Sequence, residues 1–208
     1  MPDTEAHTLR ANIAACRVCA AWLPCGPRPV VQLGQGARIV IVSQAPGRIV
    51  HETGVPWNDA SGERLREWTA LPAPVFYDPE RVALVPMGLC YPGRGAGADL
   101  PPRRECAPLW HGPIRSVLTG VRLTLLVGQY AQEYYLPQAR RQSVTERVRA
   151  FDTISAGMAC LPHPSWRSTG WMQRNPWFTA EIVPRLRQRV AQALAMGQET
   201  DAESTNSC

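Results

Sequence analysis

The chain has 208 residues, 45% of them apolar, a formal net charge of +5 and 22 basic residues, every one an arginine. That length and apolar content suit one folded domain with its own core and argue against general disorder. The absence of lysine excludes Schiff-base chemistry, a phosphate-loop lysine and a pyridoxal linkage. The basic balance suits an anionic partner, and arginine holds phosphate oxygens in a bidentate way.

The N-terminal decapeptide MPDTEAHTLR has no signal-peptide pattern. No apolar run approaches the roughly 20 residues of a membrane helix. A soluble, cytoplasmic protein with no membrane association is expected. Residues 5–15 read as a short helix leading into Cys16-Arg-Val-Cys19, followed by a proline- and glycine-rich stretch to Gly36. Arg38 to Ser43 is a β-branched run of the kind found in buried strands, and it ends in the loop Gln44-Ala-Pro-Gly47. Ser61 is placed to cap a helix through about Ala70, with Leu65 and Trp68 inward.

Val82–Val85 is a second strand, followed by an irregular loop from Gly88 to Pro102. Arg104 to Leu118 reads as a helix interrupted near Pro113. Val121–Val127 is a third strand, closed by Gly128. Helical material follows over 129–136 and 144–151. Gly157–Leu161 is a fourth strand, ending in Pro162-His163-Pro164-Ser165. Asn175-Pro176 reads as a cap with proline at the first helical position. Phe178, Ile182, Leu186, Val190 and Leu194 then recur every four residues along a terminal helix that Pro184 is expected to kink. Residues 1–196 are expected to form one domain and 197–208 a disordered tail.

Strands alternating with helices predict a three-layer α/β/α sandwich with a short, mostly parallel, four-stranded sheet. Ligand sites in such folds lie at the carboxyl ends of strands. The loops after Ser43, Val85 and Leu161 should therefore converge.

Seven cysteines is an odd number, and clustered cysteines in a cytoplasmic chain point to metal binding. Cys16 and Cys19 form a C-x2-C pair, while Cys90 and Cys106 flank the irregular loop. Together they offer four thiolates, enough for an iron–sulfur cluster or a structural zinc, and thiolate softness alone does not separate the two. Unconnected buried cysteines are the bland alternative. Cys25 is a spare candidate, Cys160 reads as core and Cys208 as tail.

Ser43-Gln-Ala-Pro-Gly47, then Gly54-Val-Pro-Trp57, then Ser61-Gly62 with Leu65 resembles the first motif of the uracil-DNA glycosylase superfamily. It is most similar to the iron–sulfur branch, often called family 4. His163-Pro164-Ser165 stands where the superfamily has its second motif, and Leu126-Val-Gly128 with Ala131 resembles the join between them. The cysteine spacing matches that branch, and the resemblance covers roughly residues 10 to 190.

The resemblance implies a monofunctional DNA glycosylase that hydrolyses the N-glycosidic bond of uracil or another deaminated base. It implies DNA as partner, a monomeric state, and a structural [4Fe-4S] cluster on Cys16, Cys19, Cys90 and Cys106. Gln44 and His163 would be catalytic, with His163 donating to the base oxygen as charge develops. Ala45, Pro46, Gly47, Trp57 and Ser165 would bind substrate, Trp57 as the stacking face for a flipped base. Trp166 and Arg167 would meet DNA, Trp166 as a wedge and Arg167 near phosphate. Arg94, Arg103 and Arg104 would touch the DNA backbone or offset thiolate charge. His51 and Glu52 would orient water or stay solvated.

Three departures stand out. Ala45 occupies the position of the water-activating aspartate of the best-known branch, although the iron–sulfur branch also has alanine there. Gln44 replaces a glutamate. Pro86 replaces a base-reading asparagine and offers neither side-chain amide nor backbone donor; Asn58 and Asn175 are candidate substitutes. A damaged-DNA-binding relative with little or no catalysis is the alternative reading, and a nucleotide hydrolase on a shared sheet is a third.

Overall fold

The computed structural model describes residues 2–155 and 157–195, so the expected tail at 197–208 lies outside the described residues. In chain order the elements are α1 (Pro2–Ala14), β1 (Ile39–Ser43), α2 (Arg48–Thr53), α3 (Ala60–Thr69), α4 (Ala73–Phe76) and β2 (Val82–Pro86). Then come α5 (Cys106–Val117), β3 (Leu123–Val127), α6 (Gln129–Tyr135), α7 (Val144–Arg149), β4 (Met158–Leu161), α8 (Ser168–Arg174) and α9 (Val183–Ala195). The four strands form one sheet in the order β2-β1-β3-β4, and every neighbouring pair is parallel.

Side-chain alternation distributes the sheet between two cores. Ile39, Ile41, Val82, Leu84, Leu123 and Leu125 join a cluster with Leu65 and Trp68 of α3 and Leu186 and Val190 of α9. The intervening Ala83 and Val85 pack instead with Leu9 and Ile13 of α1 and Ile114 of α5. Helices therefore cover both faces, which is why these strands read as continuous apolar runs.

The outer edge of β2 is closed by Gln32. Its N–H donates to the Leu84 carbonyl and its own carbonyl accepts from the Leu84 N–H, at 3.0 and 2.9 Å. Its side-chain amide donates to the Phe76 and Val82 carbonyls at 3.0 and 2.7 Å. Leu84 thus points its N–H outward, and strand alternation sends residue 86 the same way. Pro86 costs the sheet no ladder bond there, since proline is tolerated where the missing donor faces an edge.

Several local expectations need correction. Asp59, not Ser61, caps α3: its Oδ1 accepts from the Gly62 N–H at 2.8 Å. Ser61 lies inside the first turn. Helix α5 runs unbroken through Pro113, because the carbonyl that proline deprives of a donor belongs to Leu109, on the exposed side of the helix.

Asn175 both closes α8 and opens the terminal helical run: its carbonyl accepts from the Phe178 N–H at 3.0 Å, and the Pro176 carbonyl accepts from the Ala180 N–H at 3.1 Å. The Asn175 side chain donates to the Trp171 carbonyl and accepts from the Trp177 indole. A π-turn over Phe178–Ile182 then leads into α9. That widened turn sits where the Pro184 ring would meet the residue 180 carbonyl, so it takes the place of a proline kink. Phe178, Ile182, Leu186 and Val190 are buried as the stripe predicts.

Candidate active site

Because all four strands are parallel, the loops after β1, β2 and β4 emerge at one end of the sheet. Chain order reverses between β1 and β3, which places a crevice there. The first two loops are joined by backbone bonds: the Met87 N–H donates to the Ser43 carbonyl at 2.8 Å and the Gly88 N–H to the Gln44 carbonyl at 3.0 Å. Beside them opens a cavity of about 400 Å³, lined by Gln44, Ala45, Pro46, Gly47, Trp57, His163, Ser165, Trp166 and Arg167. Gln44 and His163, the residues expected to bind substrate, and Trp166 and Arg167 are all on that wall.

Trp57 is held in an unusual conformation. Its φ is +56°, a region bulky side chains rarely adopt. Two contacts hold it there. The Tyr77 hydroxyl donates to the Trp57 carbonyl at 3.3 Å. Gly62, in the first turn of α3, passes so close that a Cβ would lie 1.8 Å from that same carbonyl oxygen. The Ser61-Gly62 pair therefore needs its glycine for close approach.

His163 stacks beside the Trp57 indole, ring centroids 5.9 Å apart and planes inclined by 28°. Gly128, with φ +83°, makes room for it: a Cβ there would sit 3.4 Å from the His163 Cβ. The loop carrying His163 is tied down from three sides. The Ser168 hydroxyl donates to the His163 carbonyl, Arg64 of α3 donates to the Ser165 carbonyl at 2.8 Å, and Arg167 donates to the Gly97 carbonyl at 2.7 Å. The loop itself is residues 162–167, and α8 begins at Ser168. Trp166 is 77% exposed at its tip, with the Arg167 guanidinium 5.5 Å from its ring. Burial pushes the His163 pKa down, against a weaker upward pull from Asp59. The ring is therefore neutral near pH 7 and presents one N–H donor.

The sequence pattern does not single out Asp59 or Asp99, yet both line the cavity, together with Arg94. Pro86 lines it too, while Asn58 and Asn175 do not. Glu52 makes a surface ion pair with Arg48 at 2.9 Å. His51 packs on Tyr91, ring centroids 5.8 Å apart.

A second cavity is lined by Cys16, Cys19, Cys90 and Cys106, with Arg103 beside them. All four cysteines are free thiols. The Leu89 N–H donates to the Cys106 sulfur at 3.2 Å, the Arg28 backbone donates to Cys90, and the Arg103 side chain donates to Cys19. Burial pushes Cys90 up to about 11 and Cys106 up to about 12. Among the described residues no group of three His, Cys, Asp or Glu side chains is placed to hold a single metal ion. Arg103 thus belongs to this cavity, pairing with Glu105 at 2.6 Å and lying over Trp22. Arg94 belongs to the first one. Cys160 is core, as expected, and Cys25 is exposed.

His111 ties α5 to the end of β2 and to α6. It sits on α5, five residues beyond Cys106, and is 1% exposed. Its Nε2 donates to the Pro86 carbonyl, 3.1 Å away, and its Nδ1 accepts from the Tyr135 hydroxyl, 2.8 Å away. Burial pushes its pKa below the ordinary 6.5. An unfolded chain takes up a proton near pH 6.5 that folded His111 and His163 refuse, so stability falls as pH drops through that value. The melting temperature is expected to be lower at pH 5.5 than at pH 7.5, with the difference smaller in His111→Gln. An identical acid slope in the variant would remove His111 from the account.

Compared with known families, residues 31–187 match the uracil DNA glycosylase superfamily. The chain belongs to the uracil-DNA glycosylase superfamily. That makes it a DNA glycosylase in general terms, a hydrolase of the DNA-repair type whose substrate is DNA. The match spans both the Gln44 loop and the His163 loop. No helix among the described residues is long and apolar enough to cross a membrane.

Proposed function

We propose that this superfamily member is a monofunctional glycosylase of the iron–sulfur branch, formed by one domain over residues 1–196, that removes uracil or another deaminated base from DNA as a monomer. The observation that carries this reading is the stacked Trp57–His163 pair in a cavity open at the end of the sheet. A base turned out of the helix stacks on Trp57. His163, neutral and aimed into the same cavity, donates its N–H to a base oxygen as the glycosidic bond breaks and negative charge builds there. Trp166 enters the space the base has left, and Arg167 faces phosphate. Water is the nucleophile, consistent with a chain that has no lysine.

Pro86 offers the base no amide. Gln44 carries the one side-chain amide among the described residues lining the cavity. An amide both donates and accepts, so Gln44 suits the mixed edge of uracil, hypoxanthine or xanthine. Release assays on duplex and single-stranded DNA carrying each base test the reading. No release from any of them would sink it.

Four free thiols around one cavity, with N–H donors aimed at three of the sulfurs, fit a thiolate-held cluster. The preference for an iron–sulfur cluster over a single zinc ion rests on the resemblance to the iron–sulfur branch. Such a cluster, when bound, links the segment after α1, the loop after β2 and the start of α5. It supplies structure to these segments and no step of the reaction. Protein purified without oxygen is expected to be brown, with about four irons per chain. Cys106→Ser should bleach it and lower its melting temperature. Colourless protein with one zinc would overturn the cluster.

Pro86 and Ala45 favour a second reading, a damaged-DNA-binding relative without turnover. Tight binding to uracil-containing DNA with no base release in long incubations would select it.

A further inference from the structure

Hydrolysis of an N-glycosidic bond places positive charge on the sugar and needs an acceptor for a proton of the attacking water. Ala45, on the loop after β1, has no group that can do either. Among the described residues lining the cavity, the carboxylates are Asp59 and Asp99. They converge over that same loop: their Oδ2 atoms lie 4.0 and 3.7 Å from the position a Cβ on Gly47 would take.

The two are not equivalent. Asp59 is committed to the N-terminus of α3, its Oδ1 in the helix cap. Asp99 stands on the irregular loop, where the Gly95 N–H meets the Ala98 carbonyl at 2.7 Å and the Leu100 N–H the Gly93 carbonyl at 2.9 Å. Arg167 ties this turn to the His163 loop through the Gly97 carbonyl. The buried Tyr91 hydroxyl donates to Asp99 Oδ1 at 3.3 Å, which orients the carboxylate and leaves Oδ2 toward the Gly47 loop. Asp99 is solvent-accessible at the cavity mouth, so water reaches it before DNA seals the site.

Resting on the glycosylase reading above, we propose that Asp99 is the catalytic carboxylate that receives the proton of the hydrolytic water. The water oxygen bonds to C1′ of the sugar. The C1′–N bond breaks and its electron pair leaves on the base, held by the His163 N–H. Asp99 Oδ2 takes the water proton, and the departing base anion is protonated from solvent. The other charged or titratable groups on the cavity wall are Asp59, Arg94, His163 and Arg167, with Tyr91 behind Asp99.

Single-turnover base release by Asp99→Asn, under conditions where wild type releases base, tests the assignment. The rate should fall by about 100-fold or more, with affinity for the same duplex retained. In Asp99→Ala, added formate should restore release, a response that a purely structural aspartate would not give. Asp99→Asn with a wild-type rate, or Asp99→Ala unresponsive to formate, overturns Asp99 while leaving the glycosylase reading intact. Wild-type protein that releases no base defeats that reading first, and Asp99 with it.

Discussion

The His163→Ala protein is expected to release base about 100- to 1,000-fold more slowly than wild type, the usual cost of removing one preorganised donor from a developing oxyanion. Its affinity for damaged DNA should change little, because the contact strengthens only as the bond breaks. His163→Gln, which keeps a donor in roughly the same place, should recover part of the loss. The depressed pKa fixes a further expectation. Burial holds the ring neutral, so the catalytic proton is the N–H of a neutral imidazole and is not lost as pH rises through 6.5. Wild-type single-turnover rates should show no alkaline fall there. A clear fall at that pH, or a His163→Ala rate within a few-fold of wild type, would remove His163 from its role.

Gly62→Ala is the second large effect, and its sign runs against helix propensity. In an ordinary helix the change is worth about 1 kcal/mol of added stability. Here the new methyl carbon would lie 1.8 Å from the Trp57 carbonyl oxygen and 2.9 Å from the Trp57 Cβ. Neither is the far end of a flexible side chain. Either α3 moves off the sheet or Trp57 leaves its left-handed conformation, at a cost of about 1–3 kcal/mol. Base release should fall at least tenfold with it, since a displaced ring cannot stack the base at the right depth. Thermal melting and single-turnover release measure the two effects on one preparation. A variant as stable and as active as wild type would mean that α3 and Trp57 are not in contact.

The sheet was legible because its strands are covered on both faces. The runs at 39–42 and 82–85 are apolar without interruption, and no helix signal competes with them. The convergence of the Gln44 and His163 loops followed from parallel strands alone. The start of α3 was misplaced by two residues because Asp59 and Ser61 are both good caps, and only the carboxylate geometry decides between them. Helix α8 was invisible for a physical reason: none of its residues is buried, so it has no apolar stripe. Asp99 and Arg94 stand on an irregular loop whose path no local pattern encodes. His111 looked like any helical histidine, because its partners lie 24 and 25 positions away in the chain.

Helix α3 carries Gly62 beneath Trp57 and Arg64 against the Ser165 carbonyl. The two aromatic walls of the pocket therefore hang from one rigid rod, through residues only two positions apart. A substitution that shifts this rod moves the indole and the His163 loop together. Drift toward a new base is thus channelled away from these walls, because retuning one would detune the other. The positions left free to change are the unshared ones, Gln44 and Pro86, which are also where this chain departs from the pattern it resembles.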